Sequence, residues 1–172
     1  PDLLWLSGID QEQTILIIFP DSPLSHYKEI LFVRKTNEHI AVWEGHKYTQ
    51  DEARAASGIK TILWAEDFES VVPMLMHHAN NCYVNINEND RNAWNVPYKD
   101  LRFANDWKMR FPGHQFERSA PLMAQLRSIK SDEEIKAMQR AMDITEKAFR
   151  KVLKFVKPGV MEYEVEAEII HE

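Results

Sequence analysis

Three places in the 172-residue sequence set side chains capable of acid–base or metal chemistry close together: His77-His78, the pair Glu44 and His46, and His171-Glu172. A catalytic metal centre needs about three protein ligands converging on one point. Adjacent residues on a helix point about 100° apart, so His77 and His78 cannot chelate one ion together. They read as surface histidines. Glu44 and His46 would share a side if the chain is extended there, yet one carboxylate and one imidazole are too few. His171-Glu172 opens the zinc pattern His-Glu-x-x-His, but its second histidine has no position within the 172 residues. Nucleophilic chemistry is no better supplied. There is no Gly-x-Ser-x-Gly elbow, and with five glycines there is no glycine-rich phosphate loop. Cys82 lies in the apolar run CYVNI and reads as a buried structural thiol.

Composition narrows the classes further. The formal net charge of −6 argues against a general nucleic-acid or membrane-surface binder. The basic stretch FRKVLKFVK fits the carboxyl-terminal end of a helix, where cations complement the macrodipole. A single cysteine excludes an intramolecular disulfide and any multi-cysteine zinc site, and it fits a reducing, cytoplasmic setting. No run approaches the roughly 18 apolar residues of a membrane span, and no charged-then-apolar leader opens the chain. Its first residue, Pro1, is not Met, so the amino terminus reads as trimmed.

The elements that would position any site follow from apolar patterning. Leu3–Leu6 reads as a short strand closed by Ser7-Gly8. TILIIFP from Thr14 is a continuous apolar run, as in a strand buried on both faces. EILFVR returns after a polar turn to form a hairpin with it. HIAVW reads as a third strand ending at Trp43. TQDEARAASG is a helix with a Thr49–Glu52 capping box and a Gly58 stop. Next come the strand KTILWAE, a helix within Asp67–Asn80, the strand CYVNI, a polar loop over Asn87–Asn95, and a helix over Tyr98–Phe111. Early antiparallel strands followed by alternating β and α imply a mixed sheet with helices on both faces.

A long helix follows. Ser131 and Glu134 form a second capping box, and acidic residues open the helix while basic residues fill its second half. Ile135, Met138, Met142, Thr145, Phe149, Val152 and Val156 make one stripe along it, and Pro158-Gly159 ends it. Such a helix can pair with a copy of itself or bridge two domains. The stripe lasts only about three heptads, which favours the bridge. EYEVEAEIIHE then begins a further helix, with Glu162/Glu166 and Glu164/Glu168 in repulsive spacing. Its apolar side is expected to belong to a domain continuing beyond it.

VWEGHKYTQDEA is the most unusual segment. Trp43, Glu44 and Gly45 set a large aromatic and a flexible turn before a capped helix. Trp43 either packs at the sheet edge or projects from a loop towards a partner or ligand.

Taken together in order, LLWLSGID, TILIIFP, VWEGHKYTQDEA, the linker-like APLMAQLRSIKSDEEIKAMQRAMDITEKAF and VKPGVMEYEVEAEIIHE resemble the amino-terminal part of aminopeptidase P, the Xaa-Pro aminopeptidases. The linker pattern is shared with prolidases and creatinases, and the Trp-Glu-Gly segment tips the resemblance to aminopeptidase P. The resemblance implies a ribonuclease-H-like mixed sheet flanked by helices (residues 1–127), a linker helix (128–159) and the truncated start of a pita-bread catalytic domain (160–172). It implies a parent hydrolase that removes the residue preceding proline from a peptide substrate. Two divalent ions, commonly manganese, would sit on two Asp, one His and two Glu, and none of these maps onto this chain. The resemblance further implies a homo-oligomer, with no nucleic-acid or membrane partner. Trp43 is the one residue it marks, as a loop tryptophan approaching a neighbouring subunit's active site. The alternatives are a relative that has lost peptidase chemistry and binds other proteins, and a prolidase or creatinase relative. On this reading the 172 residues alone bind no manganese specifically and cleave no Arg-Pro-Pro. Chelator-sensitive turnover of that peptide above a blank would refute it.

Overall fold

The computed structural model describes residues 2–88 and 96–171, apart from the side chains of Glu38 and Ile40. Two compact units are present, Pro1–Met123 and Ala124–Glu172.

The first unit is built around strand β2 (Glu29–Val33), flanked by β1 (Ile15–Ile18) and β3 (Thr61–Trp64). β1 and β2 form the expected hairpin, antiparallel with Ile15 opposite Phe32. β3 runs parallel to β2, with Ile30 opposite Thr61. A parallel neighbour cannot follow through a tight turn. The chain instead crosses through helices α2 (Glu38–Glu44) and α3 (Gln50–Ser57).

Ile30 to Val33 are almost completely buried. Successive side chains leave opposite faces of a strand, and the core divides accordingly. Ile30 and Phe32 join Phe68, Val72, Leu75, Met76 and Trp107. These come from α4 (Phe68–Met76) and α5 (Lys99–Arg110). Leu31 and Val33 join Ile9, Ala53, Ile59 and Ile62 on the other side, with α3 supplying Ala53. Edge-to-face contacts of Phe68 with Phe32 and Trp107, at 5.3 and 5.5 Å between ring centroids, give the first core a fixed aromatic geometry. A separate parallel pair, β4 (Asn81–Val84) and β5 (Gln115–Arg118), sets Cys82 opposite Phe116. Both of those side chains pack against the aromatic core. Among the described residues, the expected mixed sheet is therefore two ladders, of three strands and two.

Two expected strands are helices. Leu3–Leu6 lies in α1 (Asp2–Ser7). Its residues are not β-branched, and leucine is a strong helix former. The Ser7 hydroxyl donates to the Leu3 carbonyl at 2.7 Å, and Gly8 N–H donates to the Leu4 carbonyl at 2.8 Å. Gly8 has φ +70°, and a Cβ there would meet the Ala56 carbonyl at 3.4 Å. The segment HIAVW lies in α2. The Asn37 carbonyl accepts the Ala41 N–H at its start, and Gly45 (φ +77°) donates to the Ala41 carbonyl at its end. Asparagine before and glycine after a seven-residue helix outweigh the strand preference of Ile40 and Val42.

Both expected capping boxes form. Glu52 N–H donates to Thr49 Oγ1 and Glu134 N–H to Ser131 Oγ, each at 3.2 Å. Thr49 N–H and Ser131 N–H donate to the partner carboxylates at 2.8 Å. Gly58 ends α3 with φ +74°. Pro73 falls inside α4. β5 and α6 (Ala120–Ser128) are elements that the sequence patterning did not separate.

The second unit is dominated by α7 (Asp132–Phe155), followed by α8 (Glu162–Ile170). The two helices pack together, and Ala148 is the buried point of α7. The expected repulsion along α8 is relieved on two sides. Glu164 turns back to accept the Met161 N–H at 2.8 Å, and Glu168 pairs with Lys151 at 3.1 Å. Ile135, Met138, Met142 and Phe149 of the α7 stripe remain exposed.

Phe32→Ala removes the side chain common to β2 and the aromatic core. It is expected to cost roughly 3–5 kcal/mol of folding stability, measured as a lower urea midpoint with an unchanged denaturant slope.

Candidate functional site

Trp43 sits in the last turn of α2 and is 78% exposed, as is its neighbour Val42. Neither packs at a sheet edge. They form an exposed apolar knob, and the end of the helix that carries it is held by a group of four charges from three parts of the chain.

Arg34 follows the last residue of β2, so the buried strand fixes its backbone. Its guanidinium meets the Glu44 carboxylate through both terminal nitrogens, with Nη2 to Oε1 at 3.2 Å. This is the two-pronged geometry that makes Arg–carboxylate pairs directional. Nη1 also reaches Glu12 Oε1 at 3.2 Å. Lys47 is buried, at 7% exposure. Its Nζ donates to the same Glu12 oxygen at 2.7 Å and to the Glu44 backbone carbonyl at 3.2 Å. The second bond caps the end of α2, where carbonyls lack helical partners. Two cations thus face two carboxylates, and a buried ammonium keeps a charged partner, without which its desolvation would be costly.

The neighbouring residues are also tied down. Tyr48 N–H donates to Gln11 Oε1 at 2.7 Å, and Gln11 is itself buried, with no partner for its Nε2. His46 lies on the outside, with Nε2 3.1 Å from Glu52 Oε2 in the α3 capping box. Residues 44–49 are therefore held from β2, from the loop before β1 and from the start of α3.

Hydrogen bonding sets the titration of the carboxylates. The Lys47 ammonium, followed by a backbone hydrogen bond, holds the Glu12 carboxyl below its ordinary range. The Thr49 backbone N–H and then its hydroxyl do the same for Glu52. Glu44, followed by Glu12, raises the Arg34 guanidinium further. Elsewhere, burial pushes the Cys82 thiol up, away from the reactive thiolate, and its Sγ lies 3.4 Å from Met76 Sδ in the core.

The remaining residues considered for chemistry do not converge. Glu44 pairs with Arg34 and His46 with Glu52, because this stretch is helix and turn rather than strand. His77 and His78 are exposed at the end of α4. His171 Nδ1 meets Lys151 Nζ at 3.1 Å. Among the described residues, no three His, Cys, Asp or Glu side chains are placed to hold a metal ion. No helix among them is long and apolar enough to cross a membrane. Sequence reasoning missed Arg34, Lys47 and Glu12. Their side-chain ion pairs span 10 to 35 positions, which no local pattern reports.

Comparison with known proteins finds two family matches in order along the chain. Residues 1–84 match the aminopeptidase P N-terminal domain, and residues 136–172 match metallopeptidase family M24. The Xaa-Pro aminopeptidase of Haemophilus influenzae is 24% identical over 98% of this chain, and that of Escherichia coli is 24% identical over 99%. The chain spans 36% and 39% of those relatives' lengths. Among solved structures, a Bacillus anthracis protein described as an aminopeptidase P superposes with a TM-score of 0.84 at 27% identity, covering 99% of this chain and 40% of its own. Aminopeptidase PepP of Pseudomonas aeruginosa gives 0.80 at 23% identity, with 99% and 38% coverage, and so shares the fold.

The lowered Glu12 and Glu52 values carry a sign. Below the ordinary glutamate pKa of about 4.3, the unfolded chain binds more protons than the folded one. Their contribution is therefore full above that pH and is lost as pH falls through the lower folded values. Urea midpoints from pH 7 to pH 3 are expected to fall most steeply below about pH 4.3, and less steeply in Glu12→Gln. Equal slopes in the two proteins would contradict the assignment.

Proposed function

We propose that this chain is the amino-terminal part of an aminopeptidase P, and that the full-length protein is a metal-dependent Xaa-Pro aminopeptidase. It would hydrolyse the bond between a peptide's first residue and a proline in second place. The observation that carries this reading is the colinear pair of family matches, aminopeptidase P first and M24 second.

Within that protein, residues 1–127 would be the non-catalytic domain, with a ribonuclease-H-like ancestry for its mixed α/β architecture. Residues 128–159 would be the linker helix, and 160–172 would begin the pita-bread domain. The exposed stripe on α7 supports the linker reading, since Ile135, Met138, Met142 and Phe149 are apolar side chains suited to cover by further chain. Two divalent ions, manganese in this reading, would polarise a water and the scissile carbonyl when bound. Their ligands would come from outside the residues described here, so no catalytic step is assigned to these side chains. A cytoplasmic setting fits the single cysteine, and a homo-oligomer is what the resemblance to aminopeptidase P implies.

Trp43 is the residue through which this domain would act on the substrate. An exposed tryptophan on a fixed helix end can bury a large apolar area at little entropic cost. In a homo-oligomer it would lie against the substrate entrance of a neighbouring subunit. Trp43→Ala in the full-length enzyme is expected to raise KM for Arg-Pro-Pro about tenfold, the scale of one interface anchor. Size-exclusion chromatography with light scattering would report the oligomer. An unchanged KM, or a fully active monomer, would contradict the gating role. Absence of any Xaa-Pro hydrolysis by the metal-loaded full-length protein would favour the binding-module alternative.

A further inference from the structure

Exposed tryptophans on loose loops are common, but this one is followed directly by a residue held at two points and by a closed helical turn. Its neighbour Glu44 is gripped by Arg34 at the carboxylate and by Lys47 at the backbone carbonyl, while Gly45 N–H closes the last helical turn. The first two contacts start from buried residues. Arg34 extends from the fully buried Val33, and Lys47 is itself buried against Glu12. A solvent-exposed ion pair adds little to stability. Here, however, the guanidinium that forks onto Glu44 also shares the Glu12 carboxylate with a buried ammonium, so losing Arg34 strips Glu44 of its cation and losing Glu12 strips the ammonium of its charged partner. Such an arrangement defines a position more than it adds free energy.

We infer that Glu12, Arg34, Glu44 and Lys47 form a clamp whose role is to fix the pose of Trp43. Arg34 and Lys47 are thus positioning residues for recognition by this tryptophan. The inference rests on the gating role proposed above for its effect on substrate, but not for its effect on the side chain itself. Preorganisation is the physical gain: a side chain presented from an already fixed backbone loses less entropy on association. Lysine at position 34 would keep the charge and lose the fork.

The test uses the full-length protein labelled with 5-fluorotryptophan, with the Trp43 fluorine resonance assigned by its loss in Trp43→Phe. Arg34→Met is expected to shift or broaden that resonance and to raise KM for Arg-Pro-Pro about fivefold, with kcat within about twofold. Arg34→Lys should recover only part of either change. Lys47→Met is the second variant, expected to act in the same direction should Arg34→Met fold poorly. A Trp43 resonance and KM unchanged in both Met variants would overturn the clamp. So would a raised KM that tracks a lower melting temperature while the resonance stays fixed. A moved resonance with KM insensitive even to Trp43→Ala would sustain the clamp and sink the gating role instead.

Discussion

Strand β2 has no solvent-facing side over Ile30–Val33, and each of its faces meets a different group of side chains. This constraint orders the rest of the first unit. A strand buried on both sides needs a ladder partner on each edge, because unpaired backbone groups away from water are costly. β1 and β3 supply those ladders. It also needs helices above and below. α4 and α5 cover Ile30 and Phe32, while α3 and the residues around Ile9 and Ile59 cover Leu31 and Val33. A one-residue slip of register would exchange the two sets and set Phe32 against a core centred on Ala53.

The site inherits its geometry from this strand. Arg34 is the first residue past the buried run, so its guanidinium starts from an immobile base. From there the contacts pass to Glu44 and Glu12, and through Glu12 to Lys47. Trp43 carries no buried contacts of its own comparable to these, being 78% exposed. Its placement is a consequence of neighbours that are fixed. The carboxylates that titrate low here, Glu12 and Glu52, do so because they accept hydrogen bonds.

Much of this was legible from residues near one another in sequence. The apolar run at Thr14, the return strand EILFVR and the two Ser/Thr-x-x-Glu boxes are local signals, and each forms, although β1 is a partly exposed edge strand, with Ile18 in solvent, rather than one buried on both faces. LLWL and HIAVW misled because four or five apolar residues fit a strand or a helical turn equally well. The deciding bonds at Gly8 and Gly45 lie just outside the runs. β5 escaped notice because its four residues carry one apolar side chain, Phe116. The Arg34–Glu12–Lys47 group could not be read at all, since only the fold brings its members together. Trp43 was visible as a residue worth explaining, but not the helix that displays it.

Native-state hydrogen exchange of the Leu31–Val33 amides addresses the dependence on β2 most directly. If this strand is the fixed centre, those amides exchange only through global unfolding. Their opening free energy then equals the value from urea denaturation and falls with the same denaturant slope. Exchange of these amides through a smaller, slope-independent opening, while α4 and α5 stay protected, would contradict the account.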